Sequence, residues 1–228
     1  VSIQTEQEVP EPIHDSKRAI GIDMGVNRFG TASDGTVIEP LNSFKRMRSK
    51  LAKAQRELSR KKKFSRNWQK QKQKVARIHS KIADIRRDFL HKCTSEISKS
   101  HAVIVLEDLR VKNMSGSAKG TVDAPGKNVR AKSGLNRAIL DQGWYEFRRQ
   151  LEYKQCWRGG KVICVEAMNT SLKCSQCGHI DRQNRTTQSE FKCTECQYQD
   201  NADLNAAKNI LAAGLVVLAC GDIRQTVA

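Results

Sequence analysis

With 228 residues, 38% of them hydrophobic and 29% charged, the chain can bury one good core and carry a small satellite module. No apolar run approaches twenty residues and the first thirty lack a signal-peptide pattern, so the expectation is a cytoplasmic protein with no membrane partner. Four of the eight cysteines form CxxC pairs while Cys93, Cys156, Cys164 and Cys220 are scattered among apolar or helical neighbours, which favours metal ligation and buried thiols over disulfides.

The formal charge of +17 is unevenly spread. Between Lys45 and Lys92 stand nineteen Lys or Arg against Glu57, Asp84 and Asp88, and this segment alone holds +16 of the total. A short basic run is ordinarily a solvated face. This much uncompensated charge opposes a compact state unless a polyanion screens it, which points to nucleic acid.

Val1, Ile3 and Thr5 alternate with polar residues, so the sequence is expected to open inside a strand, with a linker to residue 16 following the end of a preceding domain. Arg18 to Asp23 is a β-branched run ending in Gly-Ile-Asp-Met-Gly. Phe29–Ser33 and Thr36–Glu39 flank Asp34-Gly35, a two-residue hairpin signal. The basic segment then shows helical periodicity: Met47, Leu51, Ala54 and Leu58, and later Val75, Ile78, Ile82, Ile85 and Phe89. The polar stretch Arg60–Asn67 interrupts the two seams. Two helices folded back as an antiparallel hairpin would bury both seams and present the cations outward; one continuous helix would need another partner for its stripe. The cations expected to grip nucleic acid are Lys53, Arg56, Arg60, Lys61, Lys62, Lys63, Arg66, Lys70 and Lys74.

Ala102–Leu106 reads as a central strand covered on both faces and ends in Glu107-Asp108. Residues 112–137 are rich in Lys, Gly, Ser and Asn, without periodicity, and read as a mobile basic loop. Trp144, Phe147 and Leu151 mark a helix that stops at Gly159-Gly160; Lys161–Val165 is a further strand and Ala202–Ala213 a final helix. The order is that of an α/β fold with its sheet covered by helices.

Two kinds of metal chemistry are legible. Cys174-Ser-Gln-Cys177 and Cys193-Thr-Glu-Cys196 have the spacing of a four-thiolate zinc ribbon. Four thiolates close the coordination sphere, so one structural Zn²⁺ is expected, contributing about 10–16 kcal/mol to folding the module. Gly178 fits the turn after the first pair, whereas Gln197 stands where a second Gly would be usual. The carboxylates are ambiguous one by one: Asp23 could be a turn residue, Glu107 a strand's exit to water, and Asp203 an acid complementing a helix N-terminus. Together, strand-end and helix-start carboxylates from three distant segments can converge at one sheet edge. Their hard oxygens suit two Mg²⁺ or Mn²⁺ ions, the pair that assists phosphodiester hydrolysis. The five histidines form no nucleophile triad, and no Walker-type phosphate loop is present.

At Ile20-Gly-Ile-Asp23-Met-Gly25-Val, Val105-Leu-Glu107-Asp-Leu, Gly134-Leu-Asn-Arg-Ala-Ile, Thr170-Ser-Leu-Lys-Cys-Ser-Gln-Cys-Gly178 and Asp203-Leu-Asn-Ala-Ala-Lys-Asn-Ile210 the sequence resembles the C-terminal half of TnpB, the RNA-guided nuclease of insertion sequences, and the compact type V CRISPR effectors. The resemblance implies an RNase H-like (RuvC) sheet in three parts, 17–43, 101–168 and 200–228. It also implies a basic helical insertion at 44–100 and a zinc-ribbon nucleic-acid-binding module at 169–199. It makes Asp23, Glu107 and Asp203 the catalytic triad, Cys174, Cys177, Cys193 and Cys196 the zinc ligands, and Arg185 a residue facing the substrate phosphate. The implied partners are DNA and, in the complete protein, a guide RNA read through a further N-terminal half. The expected function is metal-dependent DNA cleavage associated with a transposable element. The alternatives are a non-cleaving regulator or accessory protein of transposition, which the knuckle and hairpin alone would serve, and a transposase using the same carboxylates for strand transfer.

Overall fold

Strand β1 (Ala19–Met24) sits in the middle of a five-stranded mixed sheet, in a computed structural model that describes residues 11–166 and 169–221. The strand expected at Val1, Ile3 and Thr5 lies outside the described residues. β1 pairs antiparallel with β2 (Gly30–Ala32), which continues antiparallel into β3 (Val37–Ile38) through the turn at Gly35, φ 90°. On its other side β1 runs parallel to β4 (Val103–Glu107), and β4 parallel to β5 (Lys161–Val165), giving the order β3-β2-β1-β4-β5.

The pleat divides the side chains between two helical layers. Ile20 and Ile22 of β1 and Ile104 and Leu106 of β4 enter a core with Phe29, Leu90, Phe147 and Leu151. Phe29 packs edge-on against Phe147 with ring centroids 4.9 Å apart. Each fully buried side chain of this size is worth about 1.5–3 kcal/mol. This layer is built by the end of α2 (Arg66–Ser100) and by α5 (Trp144–Arg158). On the opposite face Val105, Ile163 and Val165 meet Ile210 of α6 (Ala202–Ala219).

α1 (Ser43–Ser59) and α2 fold back on each other as a hairpin. Leu51 and Ala54 bury against Ile78 and Ile82, and the buried Gln71 amide donates to the Ala54 carbonyl at 3.1 Å and to Glu57 at 3.0 Å. Ser65 ends the turn by accepting from the Trp68 amide, a side-chain N-cap for α2. Within the segment 44–100, α2 continues without a break from the hairpin into the core. Leu90, Thr94 and Ser98 are buried there, and Thr94 donates to Gln150 of α5 at 3.0 Å.

One expectation is corrected. The region 112–137 is not all loop, since a short helix, α3 (Val111–Met114), precedes α4 (Val129–Gln142). α4 is anchored by polar bonds rather than by an apolar stripe: Lys132 donates to the Met114 carbonyl at 2.6 Å, and Asn136 to the Ser115 and Gly116 carbonyls. α6 passes the test of length and composition for a membrane-crossing helix. Ala206, Ala207, Ile210 and Gly214 are buried. Core packing of this kind gives a helix the same composition as a membrane span.

Candidate active site and metal centre

Sheet register places the first two carboxylates side by side. Gly21 and Asp23 alternate with the core-facing Ile20 and Ile22, as Val105 and Glu107 alternate with Ile104 and Leu106, so both acids belong to the α6 face. Ile22 pairs with Leu106, and Asp23 and Glu107 are the next residues along the two parallel strands. α6 reaches them because glycines lie at its closest passes over the sheet. At Gly21 a Cβ would stand 2.5 Å from the Ala207 carbonyl oxygen, and at Gly214 one would stand 2.4 Å from the Val105 side chain. The start of α6 is fixed by Asn201, whose side chain accepts from the amides of Asp203 at 3.1 Å and Leu204 at 3.3 Å.

Asp23, Glu107 and Asp203 thus line one cleft of about 530 Å³, together with Arg28, Thr170 and Arg185. Burial pushes the Asp23 carboxyl up to about 7, and the neighbouring Glu107 and Asp203 push the same way against the opposing charge of Arg185. Burial also raises Glu107, opposed by the Thr170 hydroxyl, which donates to its Oε1 at 2.7 Å. Arg185 Nη2 stands 3.8 Å from Asp203 Oδ1 and donates to the Gln188 carbonyl at 3.0 Å. Three acids against the two guanidiniums of Arg28 and Arg185 leave a formal surplus of negative charge, which suits a hard divalent cation.

The four cysteines form a second cluster. Their four sulfur atoms all lie within 4.8 Å of one another. Cys174 and Cys196 sulfurs are 3.6 Å apart, as are those of Cys177 and Cys193. Tetrahedral zinc with bonds of about 2.3 Å has sulfur–sulfur edges of about 3.8 Å, so the donor set fits this ion. Both knuckles have the same build, with Gly178 amide donating to Cys174 carbonyl and Gln197 amide to Cys193 carbonyl. Gln197 adopts the left-handed conformation, φ 60°, that Gly178 adopts at φ 79°. β6 (Glu190–Lys192) and β7 (Gln199–Asn201) form the hairpin that leads from the second knuckle into α6.

Several buried or half-buried polar residues hold this arrangement. Buried Asn184 donates to the Leu172 and His179 carbonyls and accepts from Thr194 amide and hydroxyl, joining the two knuckles. Asn205 accepts from Ser175 amide and donates to Lys173 carbonyl, and Asn209 donates to the carbonyls of Thr170 and Lys173. The i, i+4 spacing of these two asparagines was the available signal, since it places both on one face of α6.

None of the nine cations from Lys53 to Lys74 lines the cleft. They lie along the α1–α2 hairpin, exposed except for the half-buried Lys61, and Lys53 and Lys74 flank a groove between the helices.

The OrfB_IS605 family, described as "Probable transposase", matches residues 2–118, and the Cas12f1-like TNB domain matches residues 144–210. An Escherichia coli K12 protein named as RNA-guided DNA endonuclease InsQ is 62% identical over 226 residues, which is 99% of this chain and 56% of that protein. A Streptomyces pristinaespiralis protein named as an RNA-guided DNA endonuclease is 40% identical over 205 residues, 90% of this chain and 47% of the relative. The chain therefore spans about half the length of these relatives. Its fold is similar to that of Cas12f1 in a complex with single-guide RNA and target DNA, with a TM-score of 0.51 at 22% identity, covering 90% of this chain and 51% of that one.

Proposed function

The chain belongs to the TnpB family of insertion-sequence proteins, matched here as OrfB_IS605, and from that premise we propose that it supplies the metal-dependent nuclease portion of an RNA-guided DNA endonuclease. The observation that carries the reading is the meeting of Asp23, Glu107 and Asp203, from three distant segments, in one cleft with a surplus of negative charge. The order β3-β2-β1-β4-β5, antiparallel on one side of β1 and parallel on the other, supports an RNase H-like (RuvC) sheet.

Two Mg²⁺ or Mn²⁺ ions held by the three carboxylates would, when bound, activate a water and stabilise the leaving 3′ oxygen. The protein's share is positional. Thr170 fixes one oxygen of Glu107, Asn201 fixes the helix turn that carries Asp203, and Arg185 offers its guanidinium to a phosphate oxygen. Water adds to phosphorus and the P–O3′ bond breaks, leaving a 5′ phosphate and a 3′ hydroxyl. Cys174, Cys177, Cys193 and Cys196 would hold a structural Zn²⁺ that stabilises the module carrying Arg185 and supplies no chemistry to this step. The cations of the α1–α2 hairpin hold nucleic-acid backbones, with sequence choice coming from a paired guide RNA in the complete cytoplasmic protein.

The test supplies this chain with the N-terminal part of a full-length relative, a guide RNA and matching DNA. Asp203→Ala is expected to abolish Mg²⁺-dependent cleavage while leaving salt-sensitive DNA binding intact. Undiminished cleavage by that variant would remove the assignment.

A further inference from the structure

The turn joining α1 and α2 carries two aromatic rings where a polar loop would suffice to close the hairpin. Phe64 is 70% exposed and has φ 67°. A bulky residue in the left-handed region is strained, and Gly or Asn would take the same turn at lower cost. Trp68 lies beside it, with ring centroids 5.5 Å apart and planes tilted by 58°. Neither ring joins the apolar seam of the hairpin, which is made of Phe44, Met47, Leu51, Ala54, Val75, Ile78 and Ile82. The Trp68 backbone is pinned by its amide bond to Ser65 Oγ at 3.2 Å.

The surroundings of the rings are cationic. Lys63 Nζ is 5.1 Å from the Phe64 centroid and Lys72 Nζ is 5.3 Å from that of Trp68. Lys61, Lys62 and Arg66 complete a turn without a single acid between Arg60 and Trp68. Strain held at an exposed aromatic, in a basic setting, is the signature of a contact surface rather than of a fold requirement. Exposed rings beside a cationic track are how proteins hold unpaired bases, since every base offers a π face while its phosphates pair with the cations.

We propose that Phe64 and Trp68 form a stacking platform for an unpaired nucleobase of a single strand whose phosphates are held by Lys61, Lys62, Lys63 and Arg66. α1 spans about 25 Å, so the platform stands at the far end of the hairpin from the edge of the sheet. It is a binding site for bases, distinct from the carboxylate cleft. The inference rests on the nucleic-acid reading of the hairpin given above, but not on cleavage.

The experiment measures binding of the 228-residue chain, zinc-loaded and without added Mg²⁺, to two single strands of equal length, one a homopyrimidine and one wholly abasic. Both strands carry the same phosphates and only one carries bases. Phe64→Ala is expected to weaken binding of the base-bearing strand by about 5- to 150-fold, the range to which stacking corresponds. It should leave the abasic strand bound as the parent binds it, and Phe64→Tyr should match the parent on both. Phe64→Gly relieves the turn, so it is expected to melt above the parent while losing the same base-dependent binding, which separates stacking from damage to the fold. Lys62→Ala should weaken both strands alike.

Equal affinity of Phe64→Ala and the parent for the base-bearing strand would overturn the proposal, as would an equal loss on both strands. Repeating the series with RNA and DNA identifies the source of the base. A larger loss on RNA assigns the platform to a guide strand, and a larger loss on DNA assigns it to a target strand. Because hydrolysis is silent without Mg²⁺, failure here leaves the nuclease reading standing, and inactive carboxylate variants leave this one standing.

Discussion

Gly21 of β1 faces the Ala207 carbonyl of α6 so closely that a Cβ at position 21 would lie 2.5 Å from that oxygen. Asp23 follows two residues along the strand, and Asp203 precedes Ala207 by about one helical turn. The glycine therefore sets how near these acids can come. Gly21→Ala must push α6 off the sheet, and overpacking of this kind costs about 1–3 kcal/mol. For a chain of this length that corresponds to a melting temperature lowered by roughly 2–12 °C. Thermal denaturation followed by circular dichroism checks it, and an unchanged melting temperature would contradict the close approach.

Asp141 caps a helix that is not its own. From the end of α4 it accepts from Ser43 hydroxyl at 2.9 Å, Phe44 amide at 3.0 Å and Lys45 amide at 3.3 Å, with Arg86 3.7 Å away. α1 has no side-chain cap of its own, since Asn42 adopts a left-handed conformation and makes no such bond. Asp141→Ala leaves the buried Ser43 hydroxyl and the two part-buried amides without this acceptor and is expected to cost about 1–3 kcal/mol, whereas Asp141→Asn keeps an acceptor and costs less. Amide hydrogen exchange at Phe44 and Lys45 should accelerate in the alanine variant ahead of the rest of α1. Uniform exchange along the helix would show that the cap is supplied elsewhere.

The contrast between α4 and β4 explains what could be read from the sequence. β1, β4 and β5 were legible because a covered parallel strand needs a β-branched apolar run, and the hairpin at Asp34-Gly35 because its turn needs positive φ. The seams of α1 and α2 had helical spacing, and the two CxxC pairs had a fixed ligand count. α4 was hidden because its anchors, Lys132, Asn136 and Asp141, are polar side chains whose partners lie 18 or more residues away in sequence. The same holds for Asn184, Asn205 and Asn209, whose bonds depend on which loops meet. Asp23, Glu107 and Asp203 were legible only as a set, because each has an innocent local explanation and their meeting is a property of the sheet's order.

The four-cysteine module and the five-stranded sheet are joined through α6, so metal loss should be felt at a distance. Chelation, or Cys193→Ser, is expected to release one zinc per chain and to strip exchange protection from residues 169–199 while β1 and β4 stay protected. Asn205→Ala separates docking from folding. It removes the bonds to Ser175 amide and Lys173 carbonyl without touching a sulfur, so zinc content should hold while the module loosens from α6. Elemental analysis paired with exchange mass spectrometry reads both quantities. Retained protection of 169–199 after complete zinc removal would show that the module folds without metal.

The raised carboxyl of Asp23 fixes the sign of a pH effect. Its folded value of about 7 lies above the ordinary value near 4, so between those limits the folded state holds a proton that the unfolded chain has released. The stability this group contributes is therefore present in full below about pH 4 and is lost as the pH rises through about 7. Above that, an ionised Asp23 faces Glu107 and Asp203 in a buried setting. Asp23→Asn removes the penalty, so the variant is expected to melt above the parent at pH 8 without divalent metal, with the gap closing toward pH 4. If the ionised cluster holds Mg²⁺ as proposed, the ion should raise the melting temperature of the parent but not of the variant. At limiting Mg²⁺, cleavage by the complete protein should rise with pH through about 7, because proton and metal compete for the same oxygens. A gap between variant and parent that is constant from pH 4 to pH 8 would place Asp23 in open solvent, not in a charged cleft beside two other acids.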